Sequence, residues 1–407
     1  MNCRHCEAPL KHTFLDLGFA PPSNAYLVTA DLIKPEKYYP LKVMICDQCW
    51  LAQTEDYAQA DELFDSEYAY FSSTSTGWLV HACAYAKKMI EELHLSKDSF
   101  VIEVASNDGY LLKNFVANKI PCLGIEPTAS TAAAAEAIGI PVLREFFGER
   151  LGLELAANGK KADLIAGNNV YAHVPDINDF TKGLKAVLKY NGIITLEFPH
   201  LLRLIEHTQF DTVYHEHFSY LSLYTVAKVF KSAGLRVFDV EELSTHGGSL
   251  RIYGCHDEDP VLTKAAVKEL LQQEELAGLQ TLNLYQGFQE RANRIKDDLL
   301  TFLLEQKRNG KTVAAYGAAA KGNTLLNYAG VKPDLLPFIC DAAVAKQNKF
   351  MPGSHIPILA PEALQFIRPD FILVLPWNII GEVMHQNESL SLLGTKFVIA
   401  VPKLRKI

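Results

Sequence analysis

No run of this sequence approaches the roughly 20 consecutive apolar residues that a membrane-crossing helix needs, so no membrane partner is expected. Its first residues, Met1-Asn2-Cys3-Arg4-His5-Cys6, lack the apolar core of a secretory signal, and a cytoplasmic location is expected. Basic excess is missing too. The net charge is −8, whereas a surface built for nucleic-acid backbones carries the opposite sign. That argues against a nucleic-acid partner but leaves room for one local basic pocket. The dinucleotide fingerprint G-x-G-x-x-G is absent, the Walker spacing fails, and no low-complexity tract or short repeat occurs.

What is present points to a soluble α/β enzyme of more than one domain. A chain of 407 residues exceeds what one core usually organises, and 49% hydrophobic with 21% charged residues is ordinary for a globular protein. From Phe100, short apolar runs (100–105, 122–126, 162–166, 192–198) alternate with amphipathic stretches (128–138, 179–189). This is the pattern of a parallel sheet covered on both faces. Runs 235–241 and 248–256 lie too close for a crossover helix and suit an antiparallel pair. Residues 263–304 read as a long helix or helix pair serving as a connector. A second α/β unit follows, with strands expected at 311–316, 338–341, 371–375 and 396–401.

Four motif groups carry chemistry. Cys3-x-x-Cys6 and Cys46-x-x-Cys49 are half of the eight cysteines, and two such pairs make a four-thiolate tetrahedral zinc site with no open position, hence structural. The strand, turn and helix start at 101–112 contains Glu103, Ser106, Asn107, Asp108 and Gly109, with Glu126 ending the next strand, where an acid commonly takes ribose hydroxyls. One glycine in that turn fits a pyrophosphate poorly, leaving an adenosine ligand with a small zwitterionic tail. Asn168-Asn169-Val170-Tyr171-Ala172-His173 and Tyr214-His215-Glu216-His217-Phe218-Ser219-Tyr220 concentrate groups that exchange protons near neutrality. His246-Gly247-Gly248-Ser249-Leu250-Arg251 and Tyr316-Gly317-Ala318-Ala319-Ala320-Lys321-Gly322-Asn323-Thr324 offer glycine turns. In the second, Lys321 adds charge for an anion such as a diphosphate.

Taken in order, these motifs resemble the sugar C-methyltransferases of deoxysugar and branched-sugar biosynthesis over nearly the whole chain. The resemblance implies an N-terminal zinc-binding domain (1–70), a central doubly wound, Rossmann-like S-adenosylmethionine domain (71–260), and a helical connector with a C-terminal Rossmann-like domain that helps hold the sugar nucleotide (261–407). It makes His217 the base that removes the C3 proton of a nucleotide-linked 4-keto-hexose. Tyr214 and Glu216 then stand beside that base, Tyr68 stands near the sugar, and His173 faces the reacting centre. The expected cofactor contacts are Glu103, Ser106, Asn107, Asp108, Gly109, Glu126 and Asn168. The expected substrate contacts are Tyr70, His246, Arg251, Lys321 and Asn323. The nucleotide, the sugar's deoxygenation and amination, and the oligomeric state, a monomer included, stay open. Three rivals remain: an O- or N-methyltransferase, a zinc-ribbon binding protein with an inactive methyltransferase domain, and a nicotinamide-dependent reductase or epimerase.

Overall fold

Three sheets carry the fold in the computed structural model, which describes residues 1–55, 57 and 71–407. The first is antiparallel, in the order β1 (His12–Ala20), β2 (Tyr39–Ile45), β3 (Ala52–Thr54) and β9 (Ser219–Tyr220). Its last strand comes from the middle of the chain, where Ala52 pairs with Tyr220 and Gln53 with Ser219.

The second sheet has the order β10 (Leu235–Leu243), β11 (Ser249–His256), β8 (Leu188–Pro199), β7 (Ala162–Asn168), β4 (Val101–Val104), β5 (Cys122–Ile125) and β6 (Val142–Leu143). The strands β4 to β8 run parallel, and β11 is inserted antiparallel between β8 and β10. Crossovers from β4 go one way to β5 and the chain later returns to β7 on the other side. The carboxyl ends of β4 and β7 therefore flank a crevice. The helix expected at 179–189 is Ile177–Val187, because the Asp176 carboxylate accepts the N–H groups of Asn178 and Asp179 and starts it early. It stops where Leu188 opens the twelve-residue strand β8, longer than the run at 192–198 suggested.

The third sheet repeats the doubly wound plan in the order β14 (Ile358–Leu359), β13 (Ile339–Cys340), β12 (Val313–Tyr316), β15 (Phe371–Val374), β16 (Lys396–Ile399) and β17 (Arg405–Lys406). Its switch point lies between β12 and β15, and all but β17 are parallel.

The stretch 263–304 is a correction to the connector expectation. It breaks into helices Ala265–Leu276, Leu282–Tyr285 and Phe288–Arg308 around Gly278 and Gly287, both left-handed. The last of these is a core element. Phe288, Ala292, Ile295, Leu299, Phe302 and Leu303 are buried in one cluster with Phe14 and Leu17 of the first sheet and Val313 and Leu373 of the third. Phe14 and Phe288 meet with ring centroids 4.6 Å apart.

Candidate functional site

The two cysteine turns are copies of each other. Each is closed by a left-handed residue four positions on, Glu7 (φ 62°) and Trp50 (φ 65°). The N–H of each donates to the Cys3 or Cys46 carbonyl, at 2.9 and 3.0 Å. All four Sγ atoms lie within 4.8 Å of one another, with Cys3 to Cys49 at 3.4 Å and Cys6 to Cys46 at 3.5 Å. A zinc tetrahedron with Zn–S of about 2.3 Å has sulfur–sulfur edges of about 3.8 Å, so the donor set fits the metal. The first turn is docked on the second sheet's helices. Arg4 donates to the Pro175 carbonyl at 2.7 Å, and Asn178 contacts both the His5 ring (2.8 Å) and the His5 carbonyl (2.9 Å).

Beyond β4 the backbone is left-handed at Ala105, Asn107 and Gly109. Only Gly109 has a packing reason to be glycine: a Cβ there would stand 2.3 Å from Ile140 Cδ1. Gly109→Ala is therefore expected to destabilise the protein by about 1–3 kcal/mol and to weaken S-adenosylmethionine binding, read by thermal unfolding and calorimetry. Glu126 ties the turn together, accepting the N–H groups of Asn107 and Thr128, each at 2.9 Å. Asn107 Oδ1 and Asp108 Oδ2 accept the N–H groups of Ser72 (2.9 Å) and Ser73 (3.0 Å), which pins the entry of helix Thr76–Glu92 over the turn. Burial holds the Glu103 carboxyl well above the usual range, opposed by the Tyr110 hydroxyl. Among the described residues, Ser106 Oγ, Asp108 Oδ1 and Asn168 Oδ1 are buried without a protein partner. These orphaned atoms at the switch point suit the ammonium and hydroxyl donors of S-adenosylmethionine.

Tyr214 and His217 share one side of a turn closed by His217 N–H to the Tyr214 carbonyl (2.9 Å), and their ring centroids are 3.9 Å apart. His217 Nδ1 lies 2.9 Å from the Thr212 carbonyl. A carbonyl only accepts, so Nδ1 carries the proton and the lone pair is on Nε2. Burial lowers the His217 pKa well below the ordinary value, and His173, His246 and Lys321 add repulsion. The His173 ring stands edge-on at 4.5 Å, its own pKa pushed down to about 4 by burial. His246 is likewise lowered to about 4, chiefly by burial and then by Lys321. It occupies a left-handed turn (φ 55°) edge-on to Trp78, with centroids 5.3 Å apart.

The 3₁₀ turn Phe210–Thr212 and its flanks, which the motif reading passed over, hold these groups in place. Gln209 donates to the Gly247 carbonyl (2.7 Å), fixing the His246 turn. The Trp377 indole N–H donates to Asp211 (2.7 Å), Thr212 fixes the His217 tautomer, and the Val213 carbonyl accepts from Thr324 (2.8 Å). Gln209, Asp211, Thr212 and Val213 thus join His217, the second sheet and the third. No motif marks them, because their roles exist only when distant loops meet.

Other expected residues divide. Lys321, half-buried, lies 4.7 Å above the Trp377 ring and donates to Asn378 at 2.8 Å. Asn323 is 1% exposed, and neither amide atom has a protein partner among the described residues. Glu216 is bonded to Asn24 (2.6 Å) rather than to His217, and burial raises its pKa to about 7. His215 sits at the Tyr39 and Pro40 carbonyls (3.3 and 3.2 Å). Arg251 is buried and already paired. It lies directly across from Glu197 on one neighbouring strand and Glu241 on the other, with ion pairs of 2.7 and 3.4 Å. Glu197 also binds His81 (2.8 Å) and Thr245 (2.9 Å), so this ladder supports the His246 turn from behind. Tyr68 and Tyr70 lie outside the described residues.

Family models match along the chain: a zinc binding domain over residues 3–64, a methyltransferase domain over 81–240, and a C-methyltransferase C-terminal domain over 244–402. The C-methyltransferase NovU of Streptomyces niveus is 32% identical over 406 residues, spanning 100% of this chain and 96% of that protein. Among solved structures, an S-adenosylmethionine-dependent methyltransferase of Thermotoga maritima aligns at 16% identity over 47% of this chain and 98% of its own, with TM-score 0.36. Magnesium protoporphyrin IX methyltransferase of Synechocystis with bound S-adenosylmethionine aligns at 12% identity over 44% and 80%, with TM-score 0.34. With its cysteine cluster and its doubly wound cofactor sheet, the chain belongs to the S-adenosylmethionine-dependent C-methyltransferase family that includes NovU.

Proposed function

We propose that this C-methyltransferase acts on C3 of a nucleotide-linked 4-keto-hexose, with His217 Nε2 as the base. The observation that carries the reading is the Nδ1 contact to the Thr212 carbonyl, which leaves Nε2 basic inside a buried cluster of histidines and tyrosine. Nε2 takes the C3 proton, the C–H electrons move onto the C4 oxygen, and C3 of the resulting enolate forms the new carbon–carbon bond. S-adenosylmethionine, when bound, would supply the methyl group as an electrophile: its sulfur–methyl bond breaks as the new bond forms, and the electron pair leaves with the neutral thioether. A C–H beside a ketone yields to a histidine only where the developing oxyanion is stabilised. His173 is assigned to the C4 oxygen, with His246 and Lys321 on the same side, and Tyr214, Tyr68 and Tyr70 around the sugar. Asn323, on the helix that follows β12, is assigned to the nucleotide part. Glu216 and Arg251 are assigned supporting roles through Asn24 and Glu197. In this reading residues 1–70 brace the site through zinc, 71–260 bind the cofactor and 261–407 bind the sugar nucleotide. In this reading the protein works in the cytoplasm.

The test is incubation with S-adenosylmethionine and a panel of dTDP- and GDP-linked 4-keto-hexoses, with product mass and methyl position read by mass spectrometry and NMR. A methyl on C3 is expected, and a methyl on oxygen or nitrogen would overturn the assignment. The pH profile gives a second check. A base whose pKa is lowered stays neutral as pH falls, so the acid limb of kcat/KM is expected below pH 6.5. A limb above that value contradicts His217 as the base.

A further inference from the structure

Asp211 is fully buried and belongs to none of the expected groups. One of its oxygens accepts the Trp377 indole N–H at 2.7 Å. The face of that same indole carries the Lys321 ammonium at 4.7 Å, and Asn378, the next residue, accepts from Lys321 at 2.8 Å. The edge of the ring is also tightly seated: a Cβ on Gly247 would stand 2.4 Å from it. Trp377 therefore cannot swing without disturbing the His246 turn, and Lys321 cannot leave its place without losing both ring and amide.

We propose that Asp211 is a positioning residue, which through Trp377 and its own negative charge holds Lys321 turned toward the histidine cluster so that the ammonium stabilises the enolate oxygen. The proposal rests on the keto-sugar reading above and assigns Lys321 to the reacting end of the sugar rather than to the diphosphate. Asp211 touches no substrate in this scheme. A buried carboxylate without a partner would be costly, and the half-buried Lys321 ammonium across the indole offsets part of that cost. The charged group acting on Asp211 is Lys321 from helix Ala320–Tyr328, whose positive charge also disfavours protonation of His217 and His246. Burial raises the Asp211 pKa to about 6, while Lys321 and Trp377 pull it down.

The test has one arm that needs no sugar. The protein has three tryptophans, so the Trp377 indole N–H can be assigned in an amide-correlation NMR spectrum by its loss in Trp377→Phe. In the intact protein this resonance is expected to titrate with a midpoint near pH 6. In Asp211→Asn, whose amide oxygen can still accept the indole proton, the titration should vanish. In Lys321→Met the midpoint should move up, since a cation that stabilised the carboxylate is gone. The second arm is turnover. Asp211→Asn should lose about a hundredfold in kcat with KM for the sugar and S-adenosylmethionine affinity little changed, as expected when a group is misplaced by about 1 Å. Asp211→Glu should recover part of that loss. A Trp377 resonance that does not titrate, a midpoint unmoved by Lys321→Met, or wild-type kcat in Asp211→Asn overturns the proposal. If the unaltered enzyme methylates none of the keto-sugars, the substrate reading fails, and the titration alone decides the Asp211–Trp377–Lys321 coupling.

Discussion

His217→Ala is expected to abolish methylation, a loss of about 10²–10⁴-fold, while S-adenosylmethionine still binds. Cofactor affinity should survive because the cofactor turn is built from β4, β5 and β7, and its internal bonds run to Glu126, Ser72 and Ser73 rather than to the base loop. The variant should also stop exchange of the substrate's α-proton with deuterated solvent, which separates a lost base from a lost methyl acceptor. His217→Asn sharpens the result. Its side-chain N–H₂ can still donate to the Thr212 carbonyl, so the loop is held, yet no basic nitrogen remains. Normal turnover in either variant would sink the assignment. Retained exchange without methylation would move the defect to methyl transfer.

Cys46→Ser is expected to lower zinc content, folded yield and the unfolding temperature together. Structural zinc contributes on the order of 10–16 kcal/mol to folding in small zinc-finger peptides, so losing one of four ligands in a small sheet is severe. The damage should reach the active site by a defined route. Strand β3 follows the second cysteine turn, and its Thr54 hydroxyl and N–H contact the carbonyls of His217 (3.3 Å) and Phe218 (3.1 Å). Loosening the zinc turns therefore loosens the backbone of His217 itself. Activity should fall with metal content, measured by atomic emission on the same samples, and chelation of the unaltered protein should reproduce the defect. A variant that is fully folded and zinc-loaded yet inactive would contradict a purely structural metal.

Much of this was legible from local pattern. The C-x-x-C spacing alone places two thiols on one turn, and the alternation of apolar runs with amphipathic stretches dictates two doubly wound sheets, because each buried strand needs helices on both faces. Val101–Val104, Cys122–Ile125 and Phe371–Val374 fall within the runs expected for them. Boundaries were less legible. Val187 ends a helix and Leu188 begins a strand with no glycine or proline between them, so the switch depends on β7 pairing with β8 rather than on residue preference. Tyr39–Ile45 and Ser219–Tyr220 became strands of one sheet only because the chain brought them together across more than 170 residues of sequence.

By itself the sequence determined the residues that can do chemistry: four thiols at metal spacing, an acid within one cofactor strand and another at the end of the next, and a run of His, Glu and Tyr after them. Their identity and spacing are local properties, and local geometry is enough to read them. Which nitrogen of His217 is basic, that Glu216 turns to Asn24, that Arg251 is consumed between two carboxylates, and that Asp211, Gln209 and Trp377 belong to the site were decided by tertiary structure. Each depends on a hydrogen bond or ion pair to a partner on another strand or loop. A burial that changes a pKa or fixes a tautomer exists only once those partners have met.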